Sequence, residues 1–177
     1  MGHPVLRATA RALDAGEIRS PRIQQLIDDM FETMAEYQGV GLAAPQVHKG
    51  VRLFVAGFAP RPEDDEASEQ ERVPLMALIN PEIAVVGSET GEDWEGCLSI
   101  PDIRGKVPRA RRIIVRALDR TAKRVELRAS DFTARVIQHE TDHLDGILFF
   151  DRMKNFQTLT FIEEFSRYWS THSVRAE

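Results

Sequence analysis

Two histidines four residues apart, with a glutamate beside the first, stand at His139-Glu140-Thr141-Asp142-His143 in this 177-residue chain. A helix turns about 100° per residue, so residues four apart share a face and both imidazoles can reach one metal ion. Glu140 is one step round from His139 and can handle a water at that metal without occupying a coordination position. The chemistry implied is metal-assisted hydrolysis. A catalytic site of this kind takes three protein ligands and leaves a fourth position open, so another ligand must come from elsewhere in the chain. A His-x-x-Gly-x-x-His continuation fails, because Gly146 falls in register but Phe149 stands where a histidine is needed. A following helix could supply Glu163 or Glu164, although both also read as solvated charges. The sole cysteine, Cys97 in Trp94-Glu95-Gly96-Cys97-Leu98-Ser99-Ile100-Pro101, would be a strong ligand as a thiolate, or else the nucleophile of a Cys–His hydrolase.

The elements that must position these residues are visible as periodicity. Ser20 and Pro21 open a run with Ile23, Leu26, Ile27, Met30, Phe31, Met34 and Tyr37 at helical spacing, which predicts a helix over 21–38 with Gly39 as its left-handed exit. Val51 to Ala56 reads as a strand, as do 75–80, 82–88, 112–119 and 123–128, the last two joined by a turn near Asp119-Arg120-Thr121-Ala122. Connections this short predict antiparallel sheets. The histidine-bearing helix begins after Ser130 and stops before Gly146. A third helix is expected over 155–168, with Leu159, Ile162, Phe165 and Trp169 on one face that suits either core packing or a partner surface.

Length and composition predict one domain spanning 1–177, with an acidic mobile loop at 60–73 and a polar tail at 170–177. A formal net charge of -5 gives no general attraction to nucleic acid, so DNA and RNA are not the expected partners. No apolar stretch is long enough to span a bilayer, and Met1-Gly2-His3-Pro4-Val5-Leu6-Arg7 lacks the pattern of a signal peptide. A cytoplasmic protein without membrane association is expected. The loop Gly39-Val40-Gly41 lacks the lysine and Ser/Thr of a phosphate cradle, which argues against nucleotide binding.

Three separated segments point the same way: Gly39-Val40-Gly41-Leu42-Ala43-Ala44-Pro45-Gln46, then Glu95-Gly96-Cys97-Leu98-Ser99, then Gln138-His139-Glu140-Thr141-Asp142-His143-Leu144-Asp145-Gly146. In content, order and approximate separation they resemble the signature motifs of peptide deformylases. Gly2 to Arg7 and the stretch from Ile100-Pro101 to Val107-Pro108-Arg109 are similar as well, so the resemblance covers most of residues 2–150. It implies an α+β fold in which antiparallel β-sheets surround a central helix carrying the His-Glu-x-x-His motif, with an N-terminal and a C-terminal helix. It implies removal of the formyl group from N-formylmethionyl nascent peptides, with release of formate. Cys97, His139 and His143 become the metal ligands, for Fe2+ in most relatives and for Zn2+, Ni2+ or Co2+ in the same site. Glu140 moves the protons, while the Gln46 amide and the Leu98 backbone N–H stabilise the developing oxyanion. Val40, Gly41 and Gly96 are the positions where an extended substrate backbone can approach, and Phe132, Val136 and Val40 are candidates for the methionine pocket. The intact Glu140 and Gln46 argue against a non-catalytic scaffold.

Overall fold

The computed structural model describes residues 1–57, 73 and 75–170. In chain order its elements are α1 (Ala15–Arg19), α2 (Pro21–Glu36), β1 (Gly41–Ala43), β2 (Leu53–Ala56), β3 (Met76–Val85), β4 (Thr90–Cys97), β5 (Ile100–Ala110), β6 (Arg112–Leu118), β7 (Arg124–Ser130), α3 (Asp131–Leu144), β8 (Thr160–Phe161) and α4 (Ile162–Tyr168). One antiparallel sheet has the order β1-β2-β3-β6-β7 and the other β4-β5-β8. The helix α3 packs against β1, β2, β6 and β7 of the first sheet and against β5 of the second. The class is therefore the α+β arrangement that the sequence implies.

Alternation along β2 shows how the layers form. Leu53 and Val55 join the core that holds Ile18, Ile23, Ile27, Met30 and Met34 of α1 and α2. Phe54 and Ala56 join the opposite core with Ala134 and Ile137 of α3. Successive strand side chains point to opposite faces, so a strand apolar at every position must be covered on both. A smaller core of Ile100, Val107, Leu148 and Phe149 seats the second sheet.

Several boundaries differ from the sequence expectation. The helix predicted over 21–38 ends at Glu36, and Gln38 rather than Gly39 takes the left-handed conformation, with φ 53°. Gln38 N–H then donates to Ala35 O at 3.1 Å and Gly39 N–H to Met34 O at 2.8 Å, which satisfies the last carbonyls of the helix. The strands expected at 75–80 and 82–88 are one strand, β3, bent by a pairing shift between Ile79 and Glu82 where Asn80 has φ 50°. Asn80-Pro81 is a turn signal in sequence, but pairing with β6 continues on both sides of it, so it makes a bulge. The helix expected over 155–168 is confined to α4. Ahead of it Thr160 and Phe161 pair with Arg104 and Ile103 of β5, and that ladder holds the chain extended. None of the residues of α4 is buried, so its apolar stripe is not core. The acidic segment 61–71 and all of 170–177 except Ser170 lie outside the described residues.

Candidate metal centre

The site is built by laying one hairpin across one helix. Within α3, His139 and His143 are one turn apart, their ring centroids 5.0 Å apart at 75°. Cys97 ends β4, and the two-residue turn Leu98-Ser99 leads into β5 with Cys97 paired to Ile100. Cys97 Sγ lies 3.3 Å from His143 Nε2, and the ligating atoms of Cys97, His139 and His143 all lie within 4.8 Å of one another. Around a tetrahedral ion, ligands bonded at about 2.1–2.3 Å stand about 3.4–3.8 Å apart, so this group closes on a single ion with small movements. His139 Nδ1 is held by Glu95 Oε2 at 2.9 Å, which leaves Nε2 to face the sulfur. The residues therefore fit one metal ion by donor type, spacing and ring orientation. Glu163 and Glu164 are not part of this group; Glu164 instead pairs with Arg167.

Burial and charge shape the acid–base behaviour. Burial pushes the Glu140 carboxyl up to about 7, with His139 opposing, the Glu95 charge adding and Arg109 opposing. A carboxyl poised near neutrality can both take and return a proton. For His139, burial alone would lower the pKa, but hydrogen bonds to Cys97 and Glu95 and the charges of Glu140 and Cys97 raise it to about 10. Burial, followed by the charges of His139 and Arg109, lowers His143 to about 3, which keeps it neutral and able to ligate.

Glu140 is 4% exposed and its Oε2 has no hydrogen-bond partner among the described residues. Gly41 explains how it fits: a Cβ there would lie 2.7 Å from Glu140 Cδ and Cγ, so only glycine lets β1 pass this close. Gln46 Oε1 accepts from Ala43 N–H at 2.7 Å, which turns its Nε2 towards Cys97 Sγ at 3.6 Å and Ser99 Oγ at 3.3 Å. Leu98 is 40% exposed in the turn after Cys97. Gly96 faces Arg104 across the β4–β5 ladder, with the Arg104 side chain lying over it. Of the expected pocket residues, Val136 is in the α3 core with Val40 packed against it, whereas Phe132 is exposed and outside that cluster. The surface concavities lined by Asn80, Glu82 and Arg116, and by Phe31, Leu75 and Leu127, share no residue with this site.

Sequence reasoning missed the charge network beneath the ligands. Glu95 accepts from Arg109 at 2.9 and 3.0 Å, from Arg135 at 2.8 Å and from His139, while Asp142 takes Arg109 and Arg152. Burial would raise the Glu95 carboxyl, yet His139 and Arg109 hold it down to about 2. The available signals were spacing: Glu95 is two residues before Cys97 on the same strand face, and Arg135 is one turn before His139.

An α+β fold that aims a cysteine sulfur, two imidazoles and a buried acid at one point fits a mononuclear metal hydrolase. Comparison with known proteins refines the class. The sequence matches the polypeptide deformylase family over residues 1–158, and the chain belongs to that family. It is 45% identical over 161 residues to peptide deformylase 2 of Nostoc sp., spanning 90% of this chain and 87% of that protein. It is 42% identical over 163 residues to peptide deformylase 1 of Bordetella pertussis, spanning 92% and 90% respectively. The fold superposes on the class I type b peptide deformylase of Acinetobacter baumannii, crystallised with Met-Ala-Ser bound, with a TM-score of 0.78 and 40% identity over 86% of this chain and 94% of that one. The chain is accordingly an enzyme, a metal-dependent hydrolase that removes the N-formyl group from N-terminal formyl-methionine.

Proposed function

We propose that Cys97, His139 and His143 hold one divalent ion, Fe2+, and that Glu140, Gln46 and Leu98 carry the deformylation of nascent formyl-methionyl chains in the cytoplasm. The observation that carries this reading is the approach of Cys97 Sγ to His143 Nε2, 3.3 Å across two elements remote in sequence. When bound, the ion supplies Lewis-acid polarisation and makes water acidic enough to attack the formyl carbon near neutral pH. Glu140 takes the proton of the attacking water and delivers it to the departing amine nitrogen. Negative charge developing on the formyl oxygen is met by Gln46 Nε2–H and the Leu98 N–H. The contacts of Gln46 Nε2 to Cys97 and Ser99, 3.6 and 3.3 Å, are long enough to be exchanged for a stronger bond to an oxyanion.

The substrate backbone runs in extended form past Val40, Gly41 and Gly96 and pairs with their main chain. The methionine side chain goes to the apolar side formed by Val40, Val136 and Phe132. Residues 1–177 act as a single catalytic domain, supported by the packing of both sheets on α3. No helix among the described residues is long and apolar enough to cross a membrane. The exposed Tyr168 and Trp169 at the end of α4 are the surface through which the enzyme would meet the ribosome.

The test is formate release from formyl-Met-Ala-Ser by protein loaded with iron without oxygen, set against cleavage of an unformylated internal peptide. Release of formate with no internal cleavage is expected, and Cys97→Ala should abolish both metal retention and activity. Internal cleavage that survives Cys97→Ala would instead return the thermolysin-like reading. For the metal, iron-loaded enzyme should lose activity in air or peroxide while nickel-loaded enzyme endures. Equal durability of the two would count against iron.

A further inference from the structure

The mechanism leaves two buried cations, Arg109 and Arg135, without a role. Arg135 stands on α3 one turn before His139 and is 8% exposed. Its guanidinium donates to the Glu95 carboxylate at 2.8 Å, to Val107 O on β5 at 2.8 Å and to Gly91 O on β4 at 2.8 Å, with a longer contact to Asp93 O at 3.5 Å. The hydrogen bonds of Arg109, the neighbouring buried guanidinium, go to the carboxylates of Glu95 and Asp142. Arg135 is different because it grips the main chain of both strands of the hairpin that ends in Cys97. It also grips the carboxylate that orients His139.

We infer that Arg135 is a positioning residue that sets two ligands from different elements at once. Its bonds to Gly91, Asp93 and Val107 fix the height of β4 and β5 above α3, and therefore where the Cys97 sulfur falls. Its bond to Glu95 fixes the oxygen pair whose other member holds His139 Nδ1. A planar guanidinium suits this task, since it reaches several acceptors in fixed directions, whereas an ammonium of similar length acts as a point charge. Strand geometry transmits the effect: Gly91, Asp93, Glu95 and Cys97 alternate onto the same side of β4, so a tilt at its start is carried to its end. The inference rests on the assignment of Cys97 and His139 as metal ligands.

Loss of a buried arginine lowers stability whatever its role, so melting alone does not decide the question. The test uses the full chain as wild type, Arg135→Met, Arg135→Lys and Cys97→Ala, each loaded with Co2+ without oxygen. Three quantities are read: the Co2+ dissociation constant by chelator competition, the sulfur-to-cobalt charge-transfer absorption, and kcat and KM for formyl-Met-Ala-Ser. Arg135→Met should weaken Co2+ binding about 10–100-fold, as loss of groups that orient metal ligands does. It should also shift or weaken the charge-transfer band and lower kcat with little change in KM. Arg135→Lys should fall between it and wild type. If Arg135→Met melts earlier but binds Co2+ with wild-type affinity and an unchanged band, the inference is overturned. Should Arg135→Met fail to fold, wild-type affinity and band in Arg135→Lys overturn it equally. Cys97→Ala separates the underlying assignment: retention of both affinity and band there would remove Cys97 as a ligand, whatever the Arg135 variants do.

Discussion

At the scale of single residues, the decisive feature is a buried carboxyl beside two imidazoles, with its Oε2 unpartnered among the described residues. Glu140 is held close to β1 by the absence of a side chain at Gly41, and burial tunes it towards neutrality. Glu140→Ala should keep metal content near one ion per chain and lower deformylation by about 10²–10⁴-fold, the usual worth of a positioned general acid–base. Formate release and metal analysis on the same preparation check this. Gly41→Ala is a subtler probe. Its Cβ would lie 2.7 Å from Glu140 Cδ, so the carboxylate must move by a sizeable fraction of an ångström. A displacement of about 1 Å can cost about 100-fold in rate, so kcat should fall by about 10- to 100-fold while Glu140 is still present. A Gly41→Ala enzyme with wild-type kcat would show that the Glu140 position is not tightly required.

At the scale of elements, the site is a helix and a hairpin locked by buried charge. Arg109, 5% exposed, bridges Glu95 on β4 to Asp142 on α3, and each carboxylate has a further cation in Arg135 or Arg152. Buried ion pairs of this kind contribute little net stability over apolar packing, yet removing one partner is expensive because the remaining charge stays in a poor solvent. Arg109→Ala should therefore destabilise the protein by about 3–5 kcal/mol in urea unfolding at neutral pH. A loss below 1 kcal/mol would mean that water reaches the carboxylates. The network also explains why β4 and β5 were hard to see in sequence. The strand Thr-Gly-Glu-Asp-Trp-Glu-Gly-Cys is rich in residues disfavoured in sheets, and its one buried charge, Glu95, is satisfied by Arg109, Arg135 and His139 from other elements.

At the scale of the whole molecule, the N-terminal segment is tied down around the end of α3. Ala10 N–H donates to Leu144 O at 2.8 Å, and at Gly146, where φ is 73°, a Cβ would lie 2.7 Å from the Arg7 main chain. Arg7 pairs with Asp151, whose Oδ2 also accepts from Leu148 N–H at 2.7 Å. Burial would raise the Asp151 carboxyl, but the Arg7 hydrogen bond and the Leu148 N–H outweigh it and hold the pKa below the ordinary 3.8. A folded pKa below the unfolded one means that Asp151 contributes stability above pH 3.8, and that this contribution is lost as pH falls through the lower folded value. Asp151→Asn should then be less stable than wild type at neutral pH, with the difference shrinking as pH drops below that point. Thermal unfolding of both proteins across the acid range checks the sign. A difference that grows on acidification would contradict it.

The residues themselves carried the two imidazoles and the acid, because a four-residue spacing on a helix is a local geometric fact that needs no knowledge of the rest of the chain. The same holds for α2 with its Ser20-Pro21 start, and for the hairpin of β6 and β7, whose turn and strands are neighbours in sequence. Cys97 could be weighed against Glu163 and Glu164 but not chosen by spacing, since it is 46 positions from His143 and its approach depends on how the hairpin lies on α3. Packing likewise decided the short α4, where pairing of Thr160 and Phe161 with β5 overrode a helical pattern. Glu95, Arg109 and Arg135 became legible only once folded. A buried charge is defined by the partners around it, and those partners come from three elements that only the tertiary structure brings together.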